Sequence, residues 1–188
     1  MGLPATLATI SVDPIAQQIT AGAHREAVSM CVSAHSMALG RLCMAMLGSQ
    51  GEAEETVQET LIAAHRAMGS YRGEGSVRAW LCGIARRLCA RRIETRVRQE
   101  RKLRLIHDAE AFASLPDEVL EQRRRAMQVR TALESLKPSE RDVVLLRYET
   151  GLSYREIAQA CGIDEAAARQ RTSRALGRLR TLLKEEVV

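Results

Sequence analysis

Hydrophobic residues recur at helical spacing through most of this chain, and the pattern predicts a succession of α-helices. Apolar positions three and four residues apart run from about His24 to Leu47, from Glu52 to Met68 and from Val77 to about Leu103. A further helix is predicted from about Glu118 to Leu136, ahead of three shorter segments. Aromatic residues make up only 3% of the chain and proline is rare, which favours helices over a sheet. The sequence therefore predicts an all-α protein.

The breaks between these helices divide the chain into two small helical domains. Residues 1–21 are small and apolar without a strong period, and we expect a loose N-terminal tail there. Residues 22–104 form the first predicted domain and residues 119–188 the second. Residues 105–118 lose the helical pattern and contain Pro116, which is typical of a flexible linker. A chain of 188 residues has room for two such domains, each with a modest core.

The last forty-odd residues divide into three helices separated by glycine-containing turns. Each helix start has a capping candidate, and each break has a glycine at which a helix can end in the left-handed conformation. The capping candidates are Ser139 with Asp142, Ser153 with Glu156, and Asp164; the glycines are Gly151 and Gly162. Two short helices, a tight turn and a longer basic helix form a helix-turn-helix, which lays a helix in the DNA major groove. Sequence-directed DNA binding is therefore the leading hypothesis.

The longer helix, Ala166 to Leu183, has one apolar and one polar face. The apolar face is formed by Ala168, Thr172, Ala175, Leu176, Leu179 and Leu183. This spacing turns four polar residues outward, with Arg171 close by, and they are Arg169, Gln170, Ser173 and Arg174. Arginine can bind guanine and glutamine can bind adenine through paired hydrogen bonds, whereas an arginine on phosphate carries no sequence information. A solvated basic helix without a DNA role is the alternative interpretation.

Positive charge is concentrated in one part of the chain. The net charge is +5 and the isoelectric point is near 9.2. From Arg78 to Arg104 ten arginines or lysines accompany two glutamates, a local balance of +8 that leaves about −3 for the remainder. Such a segment can neutralise phosphates and release counterions, which makes binding strongly salt-dependent. The distribution favours a nucleic-acid partner.

The cysteines and histidines show no pattern typical of a disulfide framework, a metal site or a catalytic centre. The five cysteines are Cys31, Cys43, Cys82, Cys89 and Cys161, and the four histidines are His24, His35, His65 and His107. Thiols packed as small hydrophobic side chains are the simplest interpretation. Cys82 and Cys89 lie seven residues apart on one helix face, so a redox- or metal-sensing pair stays open. We otherwise expect no catalytic residue, no metal and no cofactor, and a cysteine-dependent enzyme is the least supported class.

The chain also shows no pattern that would direct it into or across a membrane. No stretch approaches the roughly 20 apolar residues of a membrane span. The N-terminus lacks a charged region followed by a long apolar run, so no export signal is predicted. We expect a cytoplasmic protein without membrane insertion.

Each predicted domain contains short motifs in a recognisable order. The first has EAEETVQET at residues 52–60, YRGEGSVRAWL at 71–81 and IARR at 84–87. The second has LKPSER at 136–141 and GLSYREIA at 151–158. With these motifs the chain resembles the extracytoplasmic-function (ECF) sigma factors, the compact two-domain members of the bacterial sigma-70 family. One motif alone is weak, but two sets in the right order, separated by a linker, are specific.

The resemblance implies a division of labour between the two domains. Residues 22–104 would be a sigma region 2-like domain that docks on RNA polymerase and opens DNA at the minus-10 element, and residues 119–188 a region 4-like domain that reads the minus-35 element. The implied minus-35 contacts are Arg155, Arg169, Gln170, Arg171, Ser173 and Arg174. The implied minus-10 contacts are Tyr71, Arg72, Arg78, Arg86, Arg87 and Arg91.

The glycine-rich loop over residues 69–76 has a specific role by the same resemblance. It would capture a base extruded from the non-template strand, and a pocket must compensate for the roughly few kcal/mol that extrusion costs. Tyr71 is the only aromatic residue in this loop, and it could stack on that base or anchor the loop to the core. Trp80 adjoins the apolar stripe of its helix, so we expect it in the core.

An acidic surface precedes the basic helix. Carboxylates repel phosphate, and by resemblance this surface would bind the basic clamp helices of the largest RNA polymerase subunit. The residues are Glu54, Glu55, Gln58 and Glu59. Stabilisation of the helix dipole is an alternative role for the same acidic residues, and both can hold.

The resemblance finally implies an alternative sigma factor that binds core RNA polymerase, directs promoter-specific transcription initiation and is controlled by an anti-sigma factor. The linker would thread the polymerase cleft with its acidic residues Asp108, Glu110, Asp117 and Glu118. The rival class is a stand-alone helix-turn-helix regulator with a helical sensing domain. Such a regulator would bind DNA tightly without polymerase.

Overall fold

The computed structural model describes residues 13–103 and 117–185, and within these ranges it contains eight α-helices and no strand. The helices are α1 Pro14–Thr20, α2 His24–Leu47, α3 Gln50–Ala67, α4 Val77–Leu103, α5 Asp117–Glu134, α6 Pro138–Glu149, α7 Tyr154–Cys161 and α8 Glu165–Glu185. The predicted all-α fold is confirmed. We call α1–α4 the N-terminal unit and α5–α8 the C-terminal unit.

The N-terminal unit is built around three helices that pack against one another, α2, α3 and α4. Their contact buries Leu39, Leu42 and Leu47 of α2 together with Leu81 of α4. A short 3-10 turn, Met68–Ser70, ends α3 and places Met68 in the same core. The loop that follows leads into α4, whose N-terminus is capped by the Ser76 hydroxyl accepting from the Ala79 amide at 3.1 Å.

Helix α1 corrects the expectation of a loose tail over residues 1–21. Asp13 caps α1 by accepting a hydrogen bond from the Ile15 amide at 2.9 Å, and Pro14 occupies the first turn, where no backbone donor is needed. Ile15 and Ile19 lie four residues apart on one face and are buried against the N-terminal unit. This part of the expected tail is therefore a packed element, whereas residues 1–12 lie outside the described residues.

Helix α2 differs from the expectation that no stretch of the chain is apolar enough to span a membrane. By length and composition it could cross a membrane, since a stretch of it has a mean hydropathy of 1.3, although no such stretch was expected. In the fold α2 packs against α1, α3, α4 and α6. Because the core helix of a soluble protein passes the same test, α2 is weak evidence for a membrane span.

The C-terminal unit contains the predicted helix-turn-helix. Ser153 and Glu156 form the complete capping box at the start of α7, and Gly162 ends that helix with φ +67°. Asp164 caps α8 by accepting from the Ala167 amide at 2.6 Å. The predicted cap at Ser139 is wrong, because α6 begins one residue earlier at Pro138 with Lys137 at the capping position. Proline is well suited to that first helical position.

The two units share one continuous hydrophobic core. Helix α6 packs against α2, and α7 packs against α4. Leu146, Leu152 and Ile157 of the C-terminal unit belong to the same buried cluster as Leu81 and Leu39. The acidic linker lies outside the described residues apart from its last two positions, which begin α5.

The packing of α1 generates a stability prediction. Replacing Ile19 with alanine should lower the free energy of unfolding by about 2–4 kcal/mol, because a buried isoleucine side chain is lost and a cavity remains. Chemical denaturation of the full chain measures the change. Gln17→Ala on the exposed side of the same helix is the control and should change it by less than about 0.5 kcal/mol. Equal losses in both variants would show that α1 does not pack through this face.

Candidate nucleic-acid and polymerase interfaces

The predicted recognition surface is the outer side of α8 together with the start of α7. Helix α8 turns Ala168, Thr172 and Ala175 into the core, as its apolar spacing predicted. Five of the six predicted minus-35 residues are exposed, and the sixth, Arg171, is half-buried. The exposed ones are Arg155, Arg169, Gln170, Ser173 and Arg174. The structure therefore brings this predicted set together on one polar surface.

Arg169 is held in one orientation by two neighbours. Its guanidinium carbon lies 4.8 Å from the ring centroid of Tyr154, and its Nη2 pairs with the Glu165 carboxylate one turn earlier on α8. Arg147 also lies over the Tyr154 ring, with its guanidinium carbon 5.1 Å from the ring centroid. Arg147 is itself fixed, because it donates to the Leu152 carbonyl at 2.9 Å. A cation over an aromatic ring is attracted by the ring's electrons, so Tyr154 restricts where Arg169 can point.

A partly buried ion pair fixes α8 to α6. Arg178 donates to the Glu140 carboxylate at 2.6 Å, and Glu140 is buried at the N-terminal end of α6. Glu140 also lies in the first turn of α6, where the helix dipole favours a negative charge. The position of the recognition helix therefore depends on packing and on this one charged contact.

The loop before α4 surrounds a small cavity. Tyr71 and Trp80 pack with their ring centroids 5.0 Å apart, and both lie against the hydrophobic core. The Tyr71 hydroxyl donates to the Gly75 carbonyl at 2.9 Å, which closes the loop on itself. The cavity beside these rings has a volume of about 220 Å³. Trp80 thus has the expected core contact, and Tyr71 anchors the loop while lining the cavity.

The predicted minus-10 arginines divide into two groups. Arg72, Arg87 and Arg91 are exposed. Arg78 and Arg86 instead pair with carboxylates of the C-terminal unit, which the sequence analysis did not foresee. The structure therefore leaves only part of this predicted basic surface open to solvent.

The predicted polymerase-binding residues lie on one exposed side of α3, and they are Glu54, Glu55, Gln58 and Glu59. Arg92 of α4 pairs with two of them, with Nη1 2.9 Å from Glu55 and Nη2 2.7 Å from Glu59. Glu54 and Gln58 instead line an open apolar groove of about 550 Å³ between α2 and α3, with Met44 on its other wall. The surface therefore combines an apolar groove with carboxylates whose charge is partly neutralised by Arg92.

Two carboxylates of the C-terminal unit have shifted pKa values where they meet the N-terminal unit. Burial raises the pKa of Asp142 and outweighs the opposing effects of its hydrogen bond and charge interaction with Arg86. For Glu156, burial alone would raise the pKa, but hydrogen bonds from Ser76 and Ser153 and the charge of Arg78 lower it overall. Both residues were predicted only as helix-capping candidates, so sequence reasoning missed this second set of contacts.

The structure gives Cys82 and Cys89, which the sequence analysis left open as a sensing pair, different partners. Cys89 instead forms a hydrogen bond with Cys43 of α2, and this contact together with burial raises its pKa. Cys82 contacts the Thr150 side chain of the C-terminal unit. Among the described residues, no group of three histidine, cysteine or acidic side chains could hold a metal ion.

These observations define a class: a two-unit helical protein that presents a helix-turn-helix beside a second, partly basic helical unit. Residues 31–99 match the family described as Sigma-70 region 2, and residues 126–179 match the family described as Sigma-70, region 4. The chain is similar to the ECF RNA polymerase sigma factor SigC of Mycobacterium tuberculosis, at 31% identity over 137 residues that cover 70% of each chain. The protein belongs to the sigma-70 family as an ECF sigma factor, and is thus a soluble transcription initiation factor.

Solved structures are similar along most of the chain. The sigma factor RpoE of Bartonella quintana, solved in complex with the anti-sigma factor NepR, matches 83% of this chain and 96% of its own. The TM-score is 0.63 and the identity 26%. CnrH, solved in complex with the cytosolic domain of CnrY, has a TM-score of 0.66 at 23% identity, and it matches 91% of this chain and 96% of its own. The latter likeness concerns the fold alone.

The burial of the thiols generates a prediction about their reactivity. Burial raises the pKa of Cys31 and Cys161 to about 11 and that of Cys82 to about 12, so these thiols are protonated at neutral pH. Because the thiolate is the reactive form, these three thiols should react slowly with a thiol reagent at pH 8 in the folded chain, and the half-buried Cys161 should react first among them.

The measurement is the time course of reaction with a chromogenic disulfide, before and after denaturation with urea. All five thiols should react promptly once the chain is unfolded. Reaction of the folded chain should accelerate as the pH approaches 11, because the thiolate forms only near the raised pKa values. Prompt reaction of several thiols in the folded chain at pH 8 would contradict this burial.

Proposed function

We propose that this sigma factor binds core RNA polymerase in the cytoplasm and directs it to a two-part promoter. The C-terminal unit contacts duplex DNA at the minus-35 element, and the N-terminal unit contacts and opens the minus-10 element. The protein needs no metal or cofactor for this task and performs no catalysis of its own. Membership of the ECF group, together with the exposed polar side of α8, supports this division of labour.

The observation that carries the proposal is the geometry of Arg169 and its neighbours. A guanidinium that is already oriented by Tyr154 and Glu165 loses less conformational freedom when it binds a base or phosphate. Gln170, Ser173 and Arg174 extend the same surface along the helix and offer both donors and acceptors. Such a surface supports direct readout in the major groove.

The acidic side of α3 supports the polymerase contact. Glu54 and Gln58 border the apolar groove, while Arg92 holds Glu55 and Glu59 in fixed positions. A basic, partly apolar helix on the polymerase fits this combination, because charges steer association and the groove supplies apolar contact area. The linker would then pass between the N-terminal and C-terminal units while both are bound to the polymerase.

An anti-sigma protein is the proposed regulator. RpoE of Bartonella quintana, which is similar to this chain, was solved in complex with the anti-sigma factor NepR. We propose that a protein of this type covers the polymerase-binding side of α3 in this sigma factor.

Run-off transcription tests the proposed function directly. Purified chain and core RNA polymerase should together produce discrete transcripts from fragments of the source genome, whereas either component alone should not. Raising the salt concentration should weaken promoter binding steeply, because several arginine–phosphate contacts release counterions. Tight, selective binding of the chain alone to duplex promoter DNA would instead favour the stand-alone regulator.

The role of Tyr154 generates a separate prediction. Replacing Tyr154 with leucine should weaken minus-35 binding by about two- to fivefold, which corresponds to the loss of one exposed cation–π contact of about 0.5–1 kcal/mol. Arg169→Lys should cost about 1–3 kcal/mol of base discrimination if Arg169 reads a base in paired fashion. Tyr154→Phe keeps the ring and is the matched control.

The measurement is selection of bound sequences from a promoter library with a randomised minus-35 element, performed with the holoenzyme. Tyr154→Leu and Arg169→Lys should relax preference at the same position, because both act through one guanidinium. Relaxation at different positions would show that Tyr154 does not orient Arg169.

A further inference from the structure

The first turn of α8 carries a single long side chain, that of Glu165. The three residues that follow it are alanines, so within residues 165–168 only Glu165 extends beyond a methyl group. Ala166 is exposed, Ala167 is half-buried and Ala168 is buried. Recognition helices contact base edges mainly through their N-terminal residues. A helix inserted in that way would bring Glu165 and, one turn later, Arg169 close to the bases.

Glu165 and Arg169 form one linked pair on the outer side of α8. Oε1 of the Glu165 carboxylate accepts from Nη2 of Arg169, four residues later in the helix. Both side chains reach solvent, since that of Glu165 is 43% exposed and that of Arg169 is 61% exposed. The pair uses only part of each partner's capacity, because a guanidinium has five N–H donors and a carboxylate accepts on both oxygens. The pair can therefore offer donors and an acceptor side by side.

The negative charge of Glu165 restricts what this side chain can bind on DNA. A carboxylate is repelled by phosphates and by the acceptor atoms of guanine and thymine. The donors in the major groove are the amino groups of cytosine and adenine. The amino group of adenine lies beside the acceptor N7 of the same base, whereas cytosine has no acceptor in that position. Cytosine is therefore the base that suits Glu165 best.

The fold of α8 does not depend on the Glu165 carboxylate. Asp164 caps the helix by accepting from the Ala167 amide at 2.6 Å, and Ala168 and Thr172 pack into the core on the inner side. A negative charge in the first turn does favour the helix dipole. Stabilisation of the helix is thus the alternative role for Glu165, and that role predicts no preference for any base.

The spacing of the pair indicates how base pairs are divided between its two members. Side chains three or four residues apart lie on one face of a helix. In zinc-finger helices, residues three apart contact successive bases. Glu165 and Arg169 are four residues apart, so they suit adjacent base pairs. Arg169 suits a guanine, whose O6 and N7 accept from a guanidinium.

From this geometry we propose that Glu165 is a specificity-determining residue of this sigma factor. It accepts a hydrogen bond from the amino group of a cytosine in the minus-35 element, at the base pair next to the guanine that Arg169 binds. Arg169 partly neutralises the carboxylate near the phosphates, and Glu165 restrains the guanidinium in return. The inference rests on the proposed function, because it names the bases that the same surface reads.

The arginines around Glu165 separate its effect on selectivity from its effect on affinity. Arg155 and Arg174 are exposed and Arg171 is half-buried on the same surface. Contacts of such arginines with phosphate are independent of the base sequence. Loss of the Glu165 charge should therefore strengthen binding to unrelated DNA while it weakens selection of the cytosine. A purely structural role would change neither the selected bases nor this balance.

Two substitutions at Glu165 test the base contact. Glutamine keeps the length of the side chain, loses the charge and gains N–H donors, which suits the N7 and amino group of adenine. Glu165→Gln should therefore change the preferred base from cytosine to adenine, and Glu165→Ala should leave no preference there. Glu134→Gln is the matched control, because Glu134 forms the same kind of pair with Arg130, four residues earlier on α5, and is also exposed.

The measurement is selection of bound sequences from a promoter library with a randomised minus-35 element, performed with the holoenzyme of each variant. The wild type should select a cytosine next to the position that Arg169→Lys relaxes. Replacing that cytosine in the selected promoter should weaken wild-type binding by about 5- to 150-fold, the range typical of one mismatched base pair. The same replacement should weaken binding of Glu165→Ala by less than about twofold, because the contact is already absent. Glu134→Gln should match the wild type throughout.

Three results would overturn the inference. Glu165 variants that relax only the position read by Arg169 would show that Glu165 positions the guanidinium and contacts no base. Glu165 variants that keep the wild-type preference at every position would show a helix-stabilising role alone. A wild-type motif without a cytosine at the adjacent position would contradict the contact directly.

Failure of the proposed function has a different signature. A wild-type holoenzyme that enriches no minus-35 sequence from the library would refute the proposed role of α8, and this inference with it. Enrichment of a motif that the Glu165 variants leave unchanged would refute the inference alone. The failures of the two proposals are therefore distinguishable.

Discussion

The packing of the two units depends on the N-terminal half of one basic helix, α4, which is buried on several sides. Leu81, Ala85 and Cys89 are fully buried, although the helix also contains arginines that must remain hydrated or paired. Helices α2 and α3 cover one side of α4, and α7 covers another. The second contact is close because Gly83 lets the α7 backbone approach at Ala160. A larger residue at that point would keep the shared core from closing.

The charged contacts between the two units stabilise the fold less than their short distances suggest. Burying an ion pair removes hydration from both partners, and the attraction between them compensates for this only in part. Asp142 shows the imbalance, because burial raises its pKa in spite of Arg86 at 2.9 Å. Glu156 lies nearer to solvent and has a lowered pKa. The pairs therefore select which surfaces meet, while the apolar core around them provides most of the stabilisation.

Apolar spacing and capping residues predicted most helices of this fold. They did not predict the contacts between helices that are distant in sequence. The bounds of α2 and α4 follow from apolar spacing, and the capping box at Ser153 follows from two residues three positions apart. Helix α1 was missed because seven residues with two isoleucines give too few turns for a periodic signal. The start of α6 was misplaced because Pro138 at the first position outweighs Ser139 as a cap.

The sequence predicted which residue types form the candidate site, but it did not predict which distant residues those side chains contact. The exposed side of α8 follows directly from helical geometry, and of its five predicted residues four are exposed and Arg171 is half-buried. Nothing local indicates that Arg86 meets a carboxylate 56 residues away or that Cys89 meets Cys43 rather than Cys82. Such partners are set by which helices pack together, and a single sequence does not contain that information in any short window.

The packing of the two units leaves the two predicted DNA-contacting surfaces exposed to different degrees. Helix α7 uses one face to cover the loop at Gly75 and Ser76, while Tyr154 at its start holds Arg169 outward. The side chain of Arg169 is 61% exposed, whereas that of Arg86 is 20% exposed. The side of α8 that is predicted to read duplex DNA therefore faces solvent, while α7 covers the loop that is predicted to capture a base, because the same short helix packs on α4 through one face and supports α8 through its first residue.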